Sequence, residues 1–370
     1  MIKILTVYGT RPELIKLSCL IKELDKNFNH ILVNTNQNFN NELNKNFLKN
    51  FKIRKPNYNL NIQNISSIDA ISEVMTKTKK VLLKEKPDVF LIYGDTNSTY
   101  SALVAKSLKI PVFHMEAGNR SFDQRIPEEI NRKLIDHLSD INIVISEQAR
   151  QNLIREGISP EFILKSGSHM EEIFLNYKKE IQESKALRKL KLKKDEYFLA
   201  SIHRAELVDS KEDAINLIKS FENITKTFKK KIILSTHPRL KKNMDLFKIN
   251  KNNKNIIFLK PFDFFDYINL SINSYCVLSD SGSLFEESFL LKYPAVSIRK
   301  SNERLEGVET GSVIISGYDS KRIIKSIQLS KKMKFTNRYS DYNGGLVSEK
   351  ITKFIISYYH KINEKIWYKK

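Results

Sequence analysis

Short apolar runs alternate with helix-length stretches along this chain, and they do so in two series. The first series is residues 2–7, 31–35, 89–93, 112–115, 141–145 and 162–165. The second is residues 198–202, 232–236, 256–259, 276–279 and 295–298. Runs this short and this continuously apolar predict strands buried on both faces. Alternation with helical patterns predicts βαβ units and parallel sheets. At 370 residues the chain also exceeds one small core, so two domains are expected. Residues 177–194 are dense in Lys and Glu and hold no apolar run. The boundary therefore falls just before them. Residues 1–170 form one Rossmann-like domain and residues 171–349 a second, facing it across a central cleft. Residues 350–370 place Ile351, Phe354, Ile355, Tyr358, Tyr359, Ile362 and Ile366 at helical spacing. That helix is expected to pack back on the first domain.

No apolar run reaches the roughly 18 residues of a membrane span, and no cleavage-site pattern follows the first strand. A cytoplasmic location without membrane association is the simplest expectation. Cys19 and Cys276 each lie in an apolar context, which predicts buried thiols rather than a disulfide or metal pair. The net charge of +21 raises nucleic acid as a partner. Its lysines are spread over the whole chain, and no helix-turn-helix, zinc-finger or aromatic RNA-binding pattern accompanies them. No nucleic-acid partner is expected. A positive surface still draws in an anionic substrate.

Candidate chemistry collects where strands end. GTRPE at residues 9–13 leaves the first strand and enters a helix, with Arg11 and Lys16 as cations for a phosphate or hydroxyl partner. The same residues suit a plain strand-to-helix turn with Pro12 in its first turn. GDTNST at residues 94–99 places Asp95 just past another strand, where it would also serve as a helix cap. Residues 114–140 run from a strand through a loop with Glu116, Asp123, Glu128 and Glu129 into a helix. Open α/β proteins place chemistry at such strand ends. DSGS at residues 280–283 offers Ser281 and Gly282 to a phosphate at a helix start, and Glu287 one turn later suits ribose hydroxyls. A simple N-cap explains the same pattern. His203 and His237 each follow a strand of the second series and are expected to line the cleft. No metal-ligand spacing, nucleophile elbow or Walker-type loop is present.

Taken in order, GTRPE, TNQN, GDTNST, MEAG-R, PEE-NR, HRAE, THPR, DSGS-FEE and NER-EG resemble the non-hydrolysing UDP-N-acetylglucosamine 2-epimerase superfamily over essentially the whole chain. The resemblance implies a GT-B type α/β fold, a homodimer, a UDP-activated N-acetyl amino sugar as substrate, and no cofactor or metal. Within the superfamily the chain is most similar to UDP-N-acetyl-L-fucosamine synthases, which invert C2 of UDP-2-acetamido-2,6-dideoxy-β-L-talose for capsule or O-antigen synthesis. That similarity rests on QNFNNELN, IRKPNYNLN, EAGNRSFDQRIPEEINRK, SGSHMEE and the ending KIWYKK. UDP-N-acetylglucosamine 2-epimerases more often carry Leu at the position of Asn119 and lack the Phe-Asp-Gln-Arg run. Asn36, Leu207 and Leu305 stand where Gly, Asn and Pro are usual, and Ser283 replaces Gly or Thr. Asn38 stands where a histidine is common in relatives with an allosteric UDP-N-acetylglucosamine site, so such regulation is not expected.

The C2 proton of an N-acetylated sugar is weakly acidic. Family chemistry breaks the C1–O bond to UDP, removes the C2 proton to form a 2-acetamidoglycal, then reprotonates the opposite face as UDP adds back. Acid/base groups are needed on both faces of C2, with UDP held throughout. The resemblance implies Asp95, Glu116 and Glu128 for the proton transfers and His203 for the departing diphosphate. It implies Arg11, Lys16, Arg120, His237, Ser281, Gly282, Glu287 and Arg304 for UDP and substrate. A UDP-N-acetylglucosamine or diacetamido-uronate 2-epimerase would keep this machinery. A GT-B glycosyltransferase would have little use for three carboxylates, and a non-catalytic binder would tolerate their loss.

Overall fold

The computed structural model describes residues 1–36, 47–62, 66–202, 210–236, 238–247, 253–299, 302–332 and 340–369. Two compact units divide the chain. One is Met1–Ile173 with Asp341–Lys370, the other Phe174–Ser340.

The first unit holds a seven-stranded sheet. In chain order its strands are β1 Lys3–Tyr8, β2 Asn29–Asn34, β3 Tyr58–Asn59, β4 Val89–Tyr93, β5 Val112–Ala117, β6 Ile141–Val144 and β7 Ile163–Lys165. The spatial order is β3-β2-β1-β4-β5-β6-β7, every pair parallel. The chain grows outward from β1 to β3, then returns to the other side of β1 as β4. The carboxyl ends of β1 and β4 thus flank the switch point, where open α/β sheets bind ligands. The second unit repeats the plan with β8 Tyr197–Ile202, β9 Lys231–Thr236, β10 Ile256–Leu259, β11 Cys276–Ser279, β12 Ala295–Ser297 and β13 Val313–Ile315. Its order, β10-β9-β8-β11-β12-β13, puts the switch between β8 and β11.

The inner strands are the apolar runs of the sequence, buried on both faces: all five residues of β4 and all four of β11 are buried. The sequence pattern misses β3 and β13. Both are sheet edges of two and three residues, only partly buried, so no continuous apolar run marks them. Local rules explain two departures from the family pattern. Asn36 has φ +57, the left-handed region that Gly favours and Asn tolerates. Leu305 opens the helix Leu305–Glu309, a first position that suits Pro. Cys19 and Cys276 are both buried thiols. Among the described residues no helix is long and apolar enough to cross a membrane.

The C-terminal helix, Val347–Lys365, belongs to the first unit. It buries Ile351, Ile355 and Ile362 and packs on the helix Arg11–Asn27. Its start is pinned by Glu172, which accepts the Ser348 N–H at 2.9 Å and the Ser348 hydroxyl at 2.5 Å. Removing that buried acceptor leaves a helix-start donor unsatisfied, a cost of about 1–3 kcal/mol. Glu172→Ala should therefore speed amide hydrogen exchange in residues 347–362 more than in β1 or β4. Uniform exchange across the unit would contradict the assignment of that anchor.

Candidate active site

The turn after β1 shows how the first unit builds its switch point. Thr10 caps the helix Arg11–Asn27 in a capping box with Glu13. Glu13 Oε2 accepts the N–H of Gly9 at 2.6 Å and of Thr10 at 3.3 Å. The N–H that the sequence offers to a ligand at Gly9 is therefore used inside the chain. Gly9 is required by crowding: a Cβ there would meet Ser98 Oγ at 2.0 Å and Thr35 Oγ1 at 2.6 Å. Arg11 lies exposed at the helix start. One turn on, Lys16 Nζ pairs with Glu116 Oε1 at 2.8 Å and lies 5.5 Å from the Tyr93 ring centroid.

Glu116 sits on a kinked backbone. Its φ is +70, and the β5–β6 register shifts between Met115 and Ala117. A non-glycine residue in this region is strained, and such strain concentrates at functional positions. Across the sheet Gly94 turns at φ +75 into Asp95. A Cβ on Gly94 would come 3.9 Å from Glu116 Oε2 and 3.8 Å from Glu13 Cγ. The ends of β1, β4 and β5 thus bring Glu13, Lys16, Glu116 and the Asp95 turn together.

Asp95 is not the helix cap; Thr96 accepts the Ser98 N–H and takes that role. The Asp95 carboxylate instead pairs with Arg132 Nε at 2.7 Å, and its carbonyl accepts from Asn131 Nδ2 at 2.9 Å. Both partners project from the helix Pro127–Leu138. Neighbouring glutamates on that helix divide sharply. Glu128 is exposed in the first turn. Glu129 is buried and closes the preceding loop, accepting the N–H groups of Ser121 and Phe122, the Ser121 hydroxyl and Arg132. These contacts hold its carboxyl below the usual range against the opposing effect of burial.

Arg120 corrects an expectation. Its side chain is fully buried, with the guanidinium bonded to Asp136, Glu156 and the Asn119 carbonyl. It stands in the framework under the loop, not at a surface for substrate. Its partner Asp136, and His114 on the other oxygen of that carboxylate, carry no sequence signal of their own. Asn131 and Arg132 lie in the PEE-NR motif, but only the fold shows that they grip Asp95.

In the second unit buried Asp280 directly follows β11. Ser281 N–H donates to Ser279 Oγ at 3.0 Å, and the Ser281 and Ser283 hydroxyls lie 2.9 Å apart. Neither caps the helix Leu284–Leu291, which has no side-chain cap at Ser283. A Cβ on Gly282 would meet Glu303 Oε1 at 2.8 Å. Glu287 is buried and accepts the Tyr293 hydroxyl at 3.1 Å. Arg304 is buried beside Glu286 and Glu306, at 3.4 and 3.6 Å. The unit offers a serine-glycine helix start with carboxylates and a guanidinium nearby. His203 and His237 lie outside the described residues. No cluster of metal-ligating side chains occurs among the described residues.

The family model for UDP-N-acetylglucosamine 2-epimerase matches residues 22–356. The chain belongs to that family. It is a UDP-sugar 2-epimerase, an isomerase. A solved Rickettsia bellii structure named UDP-N-acetylglucosamine 2-epimerase is 45% identical and covers 100% of both chains, with TM-score 0.92. The Methanocaldococcus jannaschii UDP-N-acetylglucosamine 2-epimerase is 38% identical over 353 residues, 93% of this chain and 96% of its own. Its structure with UDP-N-acetylglucosamine and UDP superposes with TM-score 0.90, covering 96% of this chain and 100% of that one. A Pseudomonas aeruginosa UDP-2,3-diacetamido-2,3-dideoxy-D-glucuronate 2-epimerase is 31% identical over 358 residues, 95% of this chain and 99% of its own. The epimerase fold is therefore of the two-sheet GT-B type.

Burial raises the Glu13 carboxyl to about 7, against the lowering effect of the Gly9 N–H, Thr96 and Thr10. An acid with a folded value above its unfolded one binds extra protons in the fold. Its contribution is present below pH 4.5 and lost as pH rises through about 7. Glu13→Gln removes that dependence. The variant should gain on the wild type between pH 5 and pH 8 by up to about 3 kcal/mol, read as a growing difference in melting temperature. A difference constant with pH would mean the buried carboxyl stays ionised.

Proposed function

We propose that this epimerase inverts C2 of UDP-2-acetamido-2,6-dideoxy-β-L-talose to give UDP-N-acetyl-β-L-fucosamine, in surface polysaccharide synthesis. The observation that carries this reading is the loop between β5 and the helix Pro127–Leu138. Two subgroup-marking positions in it bear on the acid/base residues. Asn119 Nδ2 donates to the Glu116 carbonyl at 3.3 Å, a bond Leu cannot make. Phe122, midway in sequence between Glu116 and Glu128, has φ +56 and is 70% exposed. Its N–H is clamped by Glu129 at 3.1 Å. A bulky ring held out in the left-handed region offers an apolar surface to a sugar whose C6 is a methyl group.

The reaction runs by elimination and re-addition. A carboxylate takes the C2 proton, the C1–O bond breaks with its electrons going to UDP, and the C1=C2 double bond of the glycal forms. A proton then reaches the opposite face of C2 as the diphosphate oxygen re-forms the bond to C1. Asp95, Glu116 and Glu128 are the acid/base set, with Lys16 pairing Glu116 in the resting enzyme. Arg11, Ser281, Gly282, Glu287, Arg304, His203 and His237 are assigned to UDP and substrate, His203 to the departing diphosphate. Arg120 is reassigned to the loop framework. A homodimer working in the cytoplasm completes the proposal.

A second reading, conversion of UDP-N-acetylglucosamine to UDP-N-acetylmannosamine, is favoured by the names of the R. bellii and M. jannaschii proteins. Proton NMR in heavy water separates the two. The expected result is an L-fuco product deuterated at C2 from the L-talo nucleotide. Turnover of UDP-N-acetylglucosamine alone would replace the L-sugar reading with the second. Glu116→Gln and Glu128→Gln should each lower kcat by about 100-fold or more. Wild-type turnover in both would remove the acid/base assignment. Phe122→Ala should lower kcat/KM for the L-talo nucleotide by about 10-fold. An unchanged value would detach the loop from specificity.

A further inference from the structure

Asp95 and Glu116 stand on kinks of two different strand ends, yet one buried network reaches both kinks. His114, on β5 just before Glu116, points its Nε2 at the Gly94 carbonyl, 2.8 Å away. Its Nδ1 lies 2.8 Å from Asp136 Oδ1. Asp136 Oδ2 accepts the Gly118 N–H at 3.1 Å and Arg120 at 2.7 Å. Arg120 extends the network to Glu156 at 2.7 and 2.6 Å and to the Asn119 carbonyl at 2.8 Å. His114, Asp136 and Arg120 are at most 2% exposed.

The acceptors assign the protons. A carbonyl accepts only, so His114 Nε2 bears hydrogen and donates to Gly94. Asp136 takes donors from Gly118 and Arg120 as well as facing His114 Nδ1, and, against burial as the largest single effect, these contacts together hold its carboxyl low. The Arg120 guanidinium pairs with both carboxylates, Asp136 and Glu156. A buried network that is both hydrogen-bonded and charge-balanced is rigid, and removing one member leaves an uncompensated charge.

We infer that His114 and Asp136 are positioning residues of the epimerase, setting the Gly94–Asp95 turn and the Glu116 kink at a fixed separation. Gly94 is the residue before Asp95, and its carbonyl is what His114 holds. Gly118 lies two residues past Glu116, and its N–H is what Asp136 holds. Gly118 has φ +81, and a Cβ there would meet the Ala149 carbonyl oxygen at 2.3 Å, so this side of the kink has one arrangement. The inference rests on the reading of Asp95 and Glu116 as acid/base groups. Neither His114 nor Asp136 touches substrate; they decide where the two carboxylates stand about C2.

Two substitutions divide the network. The amide of His114→Asn can replace Nδ1 toward Asp136 but not Nε2 toward Gly94. The amide of His114→Gln can replace Nε2 but not Nδ1. Each would be assayed in heavy water with UDP-2-acetamido-2,6-dideoxy-β-L-talose and, in parallel, UDP-N-acetylglucosamine, beside Glu116→Gln and the wild type. Melting temperature reports folding, and NMR reports deuterium at C2 in both recovered substrate and product. Misplacement by about 1 Å predicts a fall in kcat of about 100-fold, with KM near the wild-type value. It also predicts a changed ratio of deuterium in recovered substrate to deuterium in product, because the two faces are no longer served in the same proportion. Wild-type kcat in folded His114 variants beside an inactive Glu116→Gln overturns the inference alone. A kcat that falls only with the folded fraction, at an unchanged deuterium ratio, reduces the network to a structural role and also overturns it. Full activity in Glu116→Gln removes the acid/base reading, and this inference with it.

Discussion

One carboxylate, Asp136, ties together the parts of the first unit that matter for chemistry. It is buried, and it accepts donors from His114 on β5, from Gly118 just past the kink and from Arg120 in the loop. A parallel sheet ends its strands in exposed carbonyls and turning backbone. Three such ends must converge for Asp95 past β4 and Glu116 on β5 to share a neighbourhood with the helix after β1. Without that acceptor the Gly118 N–H would be left unmatched, and His114, which holds the Gly94 carbonyl, would lose its own partner. Arg120 balances the charge of that buried acceptor.

Other buried carboxylates do the same kind of work at smaller scale. Glu13 closes the turn after β1, Glu129 closes the loop before the helix Pro127–Leu138, and Glu172 starts the C-terminal helix. Each accepts backbone N–H groups that a helix start or tight turn leaves over. The acidic loop of residues 116–129 thus mixes two populations. Glu116 remains near the switch point and Glu128 faces solvent, while Glu129 is consumed by the backbone. Composition alone does not separate them, because neighbours in a helix face different ways.

Much of the fold was legible. A strand buried on both faces is predominantly apolar, so β1, β4 and β11 declare themselves, and β5 does so despite His114. The edges β3 and β13 are partly solvated and too short for a pattern. Asp95 was legible as a strand-end carboxylate, but only the structure removed its reading as a helix cap, with Thr96 taking the cap and Arg132 taking Asp95. Arg120 misled for a physical reason: a cation in a motif beside the site reads as a ligand for phosphate. The carboxylates it pairs with lie 16 and 36 residues further along the chain.

By itself, the sequence determined the alternation of strand and helix, the doubling of the plan, the strand-end positions of Asp95, Glu116 and the serine-glycine turn, and the ordered motifs of a UDP-sugar 2-epimerase. These follow from local patterning, since burial periodicity and turn chemistry are written in consecutive residues. Tertiary structure alone decided which carboxylate is a cap and which stands near the switch point. It also decided that His114 and Asp136 join the two kinks. Hydrogen bonds between residues far apart in the chain depend on strand order and register, and a buried charge finds its partner only when the fold brings that partner within about 3 Å.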